Sequence, residues 1–397
     1  MASRLTLSLL IVKHVRVPRL ACALAVAAAC RRSPKAPAAH VAADSVSVVR
    51  AINLYAMTGA GALSPMAARA RPLVYVPNSH DGTVTVIDPR SYSVLRTFFT
   101  GALPQHVVPS YDLSTLWVAN NLGNTLTPID PLTGEEGQSV PVDDPYNLYF
   151  APDGRLAIVV AERRRRLDFR DAKTMALVQS VPVQCRGVDH MEFTADGRFA
   201  IATCEFSGQL VKLNLATRAV VGYLMLDPAP GLDSTAMPQD IRAAPDGRVF
   251  YVADMKANGV FLVDPDGFRR IGFIATGKGT HGIYPSRDGR MLYVTNRGWN
   301  TTAGGRHGPG SITVLDPETR RVVATWPIPG GGSPDMGNVS ADGRELWVSG
   351  RYDDEVYVFD TETGRLTHRI PVGREPHGLC VWPQPGRYSL GHTGNMR

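Results

Sequence analysis

The chain has 397 residues, enough for a large core, and only 20% of them are charged, which excludes a highly charged, unfolded chain. Its 38 glycines and 30 prolines recur at turn-like intervals between apolar runs, the distribution of an all-β protein with many short strands. The net charge is +6, but setting aside Arg4, Lys13, Arg16 and Arg19 of the N-terminal segment leaves 38 basic against 36 acidic residues, no electrostatic footprint for nucleic acid.

Those four basic residues precede the apolar run LACALAVAAA at 20–29. The pattern predicts an export signal over residues 1–30, with a core too short to span a bilayer. The segment AAAC at 27–30 is similar to a lax bacterial lipoprotein box, which makes Cys30 a candidate for lipid attachment. Residues 31–70, rich in alanine and polar residues, are expected to form a linker and an irregular lead-in. The expected location is secreted or periplasmic at the cell envelope, with no transmembrane span.

One strand pattern then recurs seven times: VYVPN at 74–78, LWVAN at 116–120, AIVVAE at 157–162, AIATCE at 200–205, VFYVAD at 249–254, LYVTN at 292–296 and LWVSG at 346–350. Most copies follow an Asp-Gly pair (Asp153-Gly154, Asp196-Gly197, Asp246-Gly247, Asp288-Gly289 and Asp342-Gly343), a tight hairpin signal. Further strands such as GTVTVIDP at 82–89 and VLRTFF at 94–99 follow, giving four strands every 40 residues or so. This predicts an all-β, seven-bladed β-propeller of four-stranded antiparallel blades over residues 71–384. The first copy begins at its second strand, and the strand at 377–381 has no successor. The C-terminal strand is therefore expected to pair with the N-terminal blade and close the ring, leaving residues 385–397 as a tail that folds over one face and brings His392 near the mouth.

LYVTN and its surrounding pattern resemble the YVTN-type propeller repeats, related to surface-layer repeats and to 6-phosphogluconolactonase-like propellers, over residues 74–382. The resemblance implies the fold and leaves the chemistry open.

Counting back from each hairpin gives one equivalent position at the start of each innermost strand, occupied by His377, His106, Asn147, His190, Asp240, His281 and Met336, with Asp335 beside the last. Four of the ten histidines thus share one structural position. Imidazoles converging from four blades suit a transition metal, with copper favoured over zinc, so His106, His190, His281 and His377 are the expected metal ligands. Glu205 and Asp240 are the expected catalytic residues, moving protons or orienting a ligand. YVTN-type repeats often carry Pro-His-Gly at this point, as in Pro376-His377-Gly378, and such a histidine can equally bond neighbouring backbone or channel water. Glu162, Glu205 and Asp254 end three successive second strands near the mouth, as bases or as caps of the loop backbone. His80, His307, Arg186, Gln239, Tyr146, Trp299, Tyr352 and the long loop 297–310 are further candidates to line it.

Of the five cysteines, Cys185 and Cys204 fall in the same blade, and spacing leaves their pairing open. The run 163–166 of four arginines is expected to be a solvated loop. There is no GxSxG, HExxH, CxxCH or calcium-loop motif.

Three functions fit this pattern. The first is a metal-dependent, copper-type oxidoreductase-like propeller acting on a small molecule at the channel mouth. It is loosely similar to the histidine-lined propeller of nitrous oxide reductases, without a counterpart of their cupredoxin domain in this sequence. The second is a non-enzymatic envelope protein that binds a small ligand or a protein partner on one face. The third is a lactonase or lyase using a divalent ion, which the imidazole-rich axis suits less well.

Overall fold

The computed structural model describes residues 52–226 and 235–397. The expected export segment, Cys30 and most of the 31–70 linker lie outside the described residues. What is described of the lead-in is irregular, with one short 3-10 helix at Ala67–Arg69.

Seven four-stranded antiparallel sheets form the seven blades of a propeller. The ring closes where Cys380–Trp382 pairs with Leu73–Asn78, bringing Val381 opposite Val74. The repeated Asp-Gly turns are built alike. The aspartate accepts from the backbone N–H two residues on, at 3.0–3.1 Å in Asp153, Asp196, Asp246, Asp288 and Asp342. The following glycine takes the left-handed conformation, with φ between 67° and 80°.

The core lies between adjacent blades, where both faces of each sheet are covered. Tyr149, Ile158, Leu167 and Phe169 of one blade pack on Val188, Met191 and Phe193 of the next. Trp347, Trp382 and Tyr75 are likewise fully buried, and truncating such a side chain costs about 3–5 kcal/mol.

The innermost strands share one irregularity that creates the site. Each skips a residue in its pairing, between Pro104 and His106, Pro145 and Asn147, Val188 and Met191, Pro238 and Ile241, Thr280 and Ile283, and Pro334 and Gly337. A bulge re-aims the side chains it carries. Here the bulges carry His106, Asn147, His190, Asp240, His281 and Met336, all essentially buried. With the blades numbered in chain order, the first is the one completed by the C-terminal strand. There His377 precedes the short strand, because Gly378 exchanges backbone hydrogen bonds with Gln105 and Val107 of the neighbouring blade instead.

The C-terminal tail does not lie over a face. It enters the channel from the end opposite the expected mouth, the end carrying the Asp-Gly hairpins. Ser389 N–H donates to the Tyr111 carbonyl, and Tyr388 stacks on Tyr111 with ring centroids 4.8 Å apart. His392 N–H then reaches the Leu148 carbonyl at 2.9 Å.

Cys185 and Cys204 form a disulfide within one blade, with Cα atoms 5.9 Å apart. The arginine run is not simply solvated: Arg163 pairs with Asp144 at 2.7 Å, Arg164 and Arg166 pair with Asp143, and Arg165 donates to the Gln184 and Cys185 carbonyls. No helix among the described residues is long and apolar enough to cross a membrane.

Candidate axial metal site

Five histidines meet on the channel axis. His106 lies 5.3 Å from His190 and from His392 between ring centroids, and His190 lies 4.7 Å from His392. One imidazole nitrogen of each of these three lies within 4.8 Å of one from the other two. All three are buried, and Nε2 of each has no hydrogen-bond partner. Burial lowers the affinity of each ring for a proton, to a pKa of about 4 for His106 and well below the usual histidine range for His190 and His392. Neutral imidazoles with free lone pairs are the form that ligates a metal. A tetrahedral ion with metal–nitrogen distances of about 2.0–2.1 Å wants its ligands roughly 3.3 Å apart, so a modest closing of the rings would fit it.

The outer nitrogens decide which tautomers are present. His106 Nδ1–H donates to the Tyr146 carbonyl at 3.0 Å, which leaves its Nε2 as the lone-pair nitrogen. The Asn147 side-chain amide lies 3.2 Å from Nδ1 of both His190 and His392. When its N–H faces these rings they carry their protons on Nε2, toward Asp189 at 3.2 Å and Asp240 at 3.5 Å. Oδ1 of the same amide accepts the Leu148 N–H at 2.8 Å, which sets this orientation. Freeing both Nε2 atoms for an ion therefore requires the amide to turn and give up that bond, or the protons to leave as the ion binds.

His281 and His377 are placed differently from the other expected ligands. Both direct Nδ1 at Asp335, at 2.9 and 2.6 Å, and Arg297 binds the same carboxylate at 2.6 Å. Burial opposes the charge on Asp335, but Arg297 and the two rings hold its carboxyl well below the usual range. His281 Nε2 receives the Arg297 guanidinium at 2.7 Å and so has no lone pair to spare. His377 Nε2 faces only the Tyr146 hydroxyl, at 3.4 Å, and its ring stands 4.8 Å from His106.

Asp240 is buried against His392 but fully engaged: Ile241 N–H, Ile283 N–H and Arg242 bind it at 2.8, 2.9 and 3.2 Å. That suits an orienting group better than a proton carrier. Glu205 is half-buried and accepts from Gln239 at 3.0 Å. Burial raises its carboxyl against the Gln239 hydrogen bond, and burial with Glu205 nearby pushes Glu162 up to about 7. Asp254 instead caps the next loop, accepting from Met237 and Ala257 N–H at 2.8 and 2.7 Å. His80 and His307 are half exposed on mouth loops, away from the axis, and Trp299 packs inside its own loop through Gly305.

Two residues of the axis were not among the expected ligands or catalytic groups. His392 belongs to no repeat, and its position depends on how the tail threads. Asp189 precedes His190 in the bulge, where the strand's alternation hides it.

The profile of the YNCE-like beta-propeller family matches residues 35–386. The chain belongs to the YNCE-like beta-propeller family. None of the curated proteins matches the sequence significantly. Among solved structures, it is similar to the hydrazine synthase of Kuenenia stuttgartiensis, with TM-score 0.58 and 17% identity over 69% of this chain and 88% of that one. It is similar to the dihydro-heme d1 dehydrogenase NirN, solved in complex with DHE, with TM-score 0.57 and 17% identity over 78% of this chain and 75% of that one. A 6-phosphogluconolactonase candidate from Bacteroides uniformis gives TM-score 0.61 and 17% identity over 78% of this chain and 98% of that one. At such identities the likeness is one of fold.

Proposed function

We propose that this YNCE-like propeller is an exported, metal-dependent, oxidoreductase-like protein that holds a copper ion on its axis and acts on a small molecule at the channel mouth. The observation that carries the reading is the set of three buried imidazoles, His106, His190 and His392, with converging and unpartnered nitrogens. Leaving such groups without partners costs free energy in the metal-free protein, and a soft-to-borderline cation that favours imidazole would offset that cost. Among divalent ions the affinity of a nitrogen site peaks at copper. His377 is the nearest candidate for a fourth ligand; His281, engaged by Arg297, is the least available of the four sequence-derived histidines. One similar propeller belongs to a protein named as a dehydrogenase, which is compatible with this reading. Glu205, at the rim, is the proposed proton-moving group, and Asp240 the group that orients His392.

The test is elemental analysis of the chain expressed without a histidine tag, followed by copper and zinc titration of the metal-free protein. About one tightly bound ion per chain, lost in a His106→Ala, His190→Ala variant that keeps its fold, is the expected result. A folded wild-type protein that binds neither ion would favour the second reading, a non-enzymatic envelope binding propeller. That reading draws on the internal pairing of His281, His377, Arg297 and Asp335, which needs no ion.

A further inference from the structure

We propose that Glu162, Asp189 and Glu205 form a cation subsite at the channel mouth that takes the ammonium group of a small amine. The subsite names the substrate class for the mouth and rests on the proposed function for the chemistry that follows binding.

Asp189 is the anchor. It is only 2% exposed, yet neither of its carboxylate oxygens has a hydrogen-bond partner. The nearest ring nitrogen, His190 Nε2, is 3.2 Å from Oδ1 and is a donor to it only while the ring carries its proton there, a proton that an ion bound at Nε2 displaces. A buried carboxylate is normally surrounded by donors, and an unpaired one is costly. The Tyr146 hydroxyl is a donor close enough to act on this carboxylate but outside good hydrogen-bond geometry, so Asp189 still lacks the full set of donors that an ammonium group supplies.

The two glutamates extend the same demand. Glu205 lies on the same blade, its backbone N–H bonded at 2.7 Å to the Gly187 carbonyl at the start of the strand that carries Asp189. Glu162 directly follows the matching strand, Leu156–Ala161, of the adjacent blade. Both carboxylates act on Asp189 through space, after burial the largest influences on it. Among the described residues no lysine or arginine forms an ion pair with any of the three: Arg163, next to Glu162, turns away to Asp144.

The geometry favours an amine over a bare metal ion. Among the described residues the ligand atoms that converge tightly enough for an ion are the three imidazoles, and these carboxylates do not join a group of that kind. An ammonium group directs several N–H donors along separate lines, each reaching an oxygen about 2.7–2.9 Å away, so it tolerates more widely spread acceptors. The half-buried ring of Tyr146, 6.1 Å from the His190 ring between centroids, offers an aromatic wall for a cation. Arg297 and Arg351, whose charges also reach Glu205, supply positive potential from blades six and seven. The field therefore draws the cationic end of a ligand toward blades three and four, against His190.

The probe is methylammonium, titrated by calorimetry into the full chain, with tetramethylammonium and calcium as comparisons and the bound metal measured in the same samples. Methylammonium is expected to bind saturably, and Glu162→Gln and Glu205→Gln are each expected to weaken it by about tenfold, the loss of one charged hydrogen bond. Both residues are half-buried at the rim, so these variants test the subsite without Asp189→Asn, which reaches the core. Tetramethylammonium, with no N–H, is expected to bind at least about tenfold more weakly. Equal affinity in wild type and both variants, displacement of methylammonium by calcium, or no saturable binding to the folded wild type would each overturn the proposal. Saturable, variant-sensitive amine binding by a protein without axial metal would support the subsite while counting against the metal reading.

Discussion

The side-chain amide of Asn147 lies 3.2 Å from Nδ1 of His392, a residue 245 positions away in the chain. It lies at the same distance from Nδ1 of His190. One amide on blade three thus governs the tautomers of two of the three converging rings. A carboxylate at that place accepts from Nδ1–H of both rings and leaves Nε2 free. Asn147→Asp is therefore expected to tighten copper and zinc binding by about tenfold, and Asn147→Leu to weaken it by about 10–100-fold. Competition against a chromophoric chelator measures both. Unchanged affinity across the series would remove Asn147 from control of the site.

The tail is expected to be a metal-site component as well as a plug. Its far end is held by Glu192, which receives Asn395 and Arg397 at 3.0 and 2.9 Å, and by Asn338, which bonds Thr393 at 3.1 Å. Removing residues 386–397 takes away His392 and leaves Glu192 without those donors. The truncated chain is expected to keep a β-rich circular dichroism spectrum, lose about 3–5 kcal/mol of stability in urea, and lose tight metal binding. His392→Ala, with the rest of the tail in place, separates the two effects: metal binding should fall while most of the stability remains.

The ring and its axial positions were legible because the Asp-Gly turns mark a regular distance to each inner strand. That count located His106, Asn147, His190, Asp240 and His281, although it does not show the bulge that brings them to the axis. Residues outside the repeat were not legible in the same way. His392 has no counterpart in another blade, and its place depends on contacts with Tyr111, Leu148 and Glu192, far away in sequence. The capture of His281 by Arg297 was hidden too, since Arg297 looks like the first residue of a mouth loop and its burial depends on Asp335 of the next blade. Local spacing reports the scaffold, whereas the division of ligands from supporting groups is set by contacts between blades.

Asp335 should be one of the most sensitive positions of the axis. It joins Arg297 and His281 of one neighbouring blade to His377 of the other, and all four residues are buried. Asp335→Asn leaves the Arg297 charge buried without its partner, a loss of about 3–5 kcal/mol. Asp335→Asn with Arg297→Met removes both charges and is expected to recover at least half of that loss. Urea unfolding of the two variants decides the matter. A double variant no more stable than the single one would mean that hydrogen bonding to the histidines, and not charge pairing, makes Asp335 important.

Glu162 gives the metal-free protein a pH dependence whose sign follows from its surroundings. Burial, then Glu205 and Asp144, raise its carboxyl from an ordinary 4.5 to about 7. The folded protein thus holds this proton more tightly than the unfolded chain does. The contribution to stability is fully present below pH 4.5 and is lost as the pH rises through about 7. A shift of this size corresponds to about 2–3 kcal/mol between pH 4.5 and pH 8, with partial exposure placing the effect at the low end. Glu162→Gln keeps the shape and cannot ionise. Compared with wild type by urea unfolding, it is expected to be nearly equal at pH 5 and more stable at pH 8. If the two proteins lose the same stability over that range, the Glu162 carboxylate is solvated well enough to ionise without cost, and its share in an acidic, cation-seeking mouth is smaller than its burial implies.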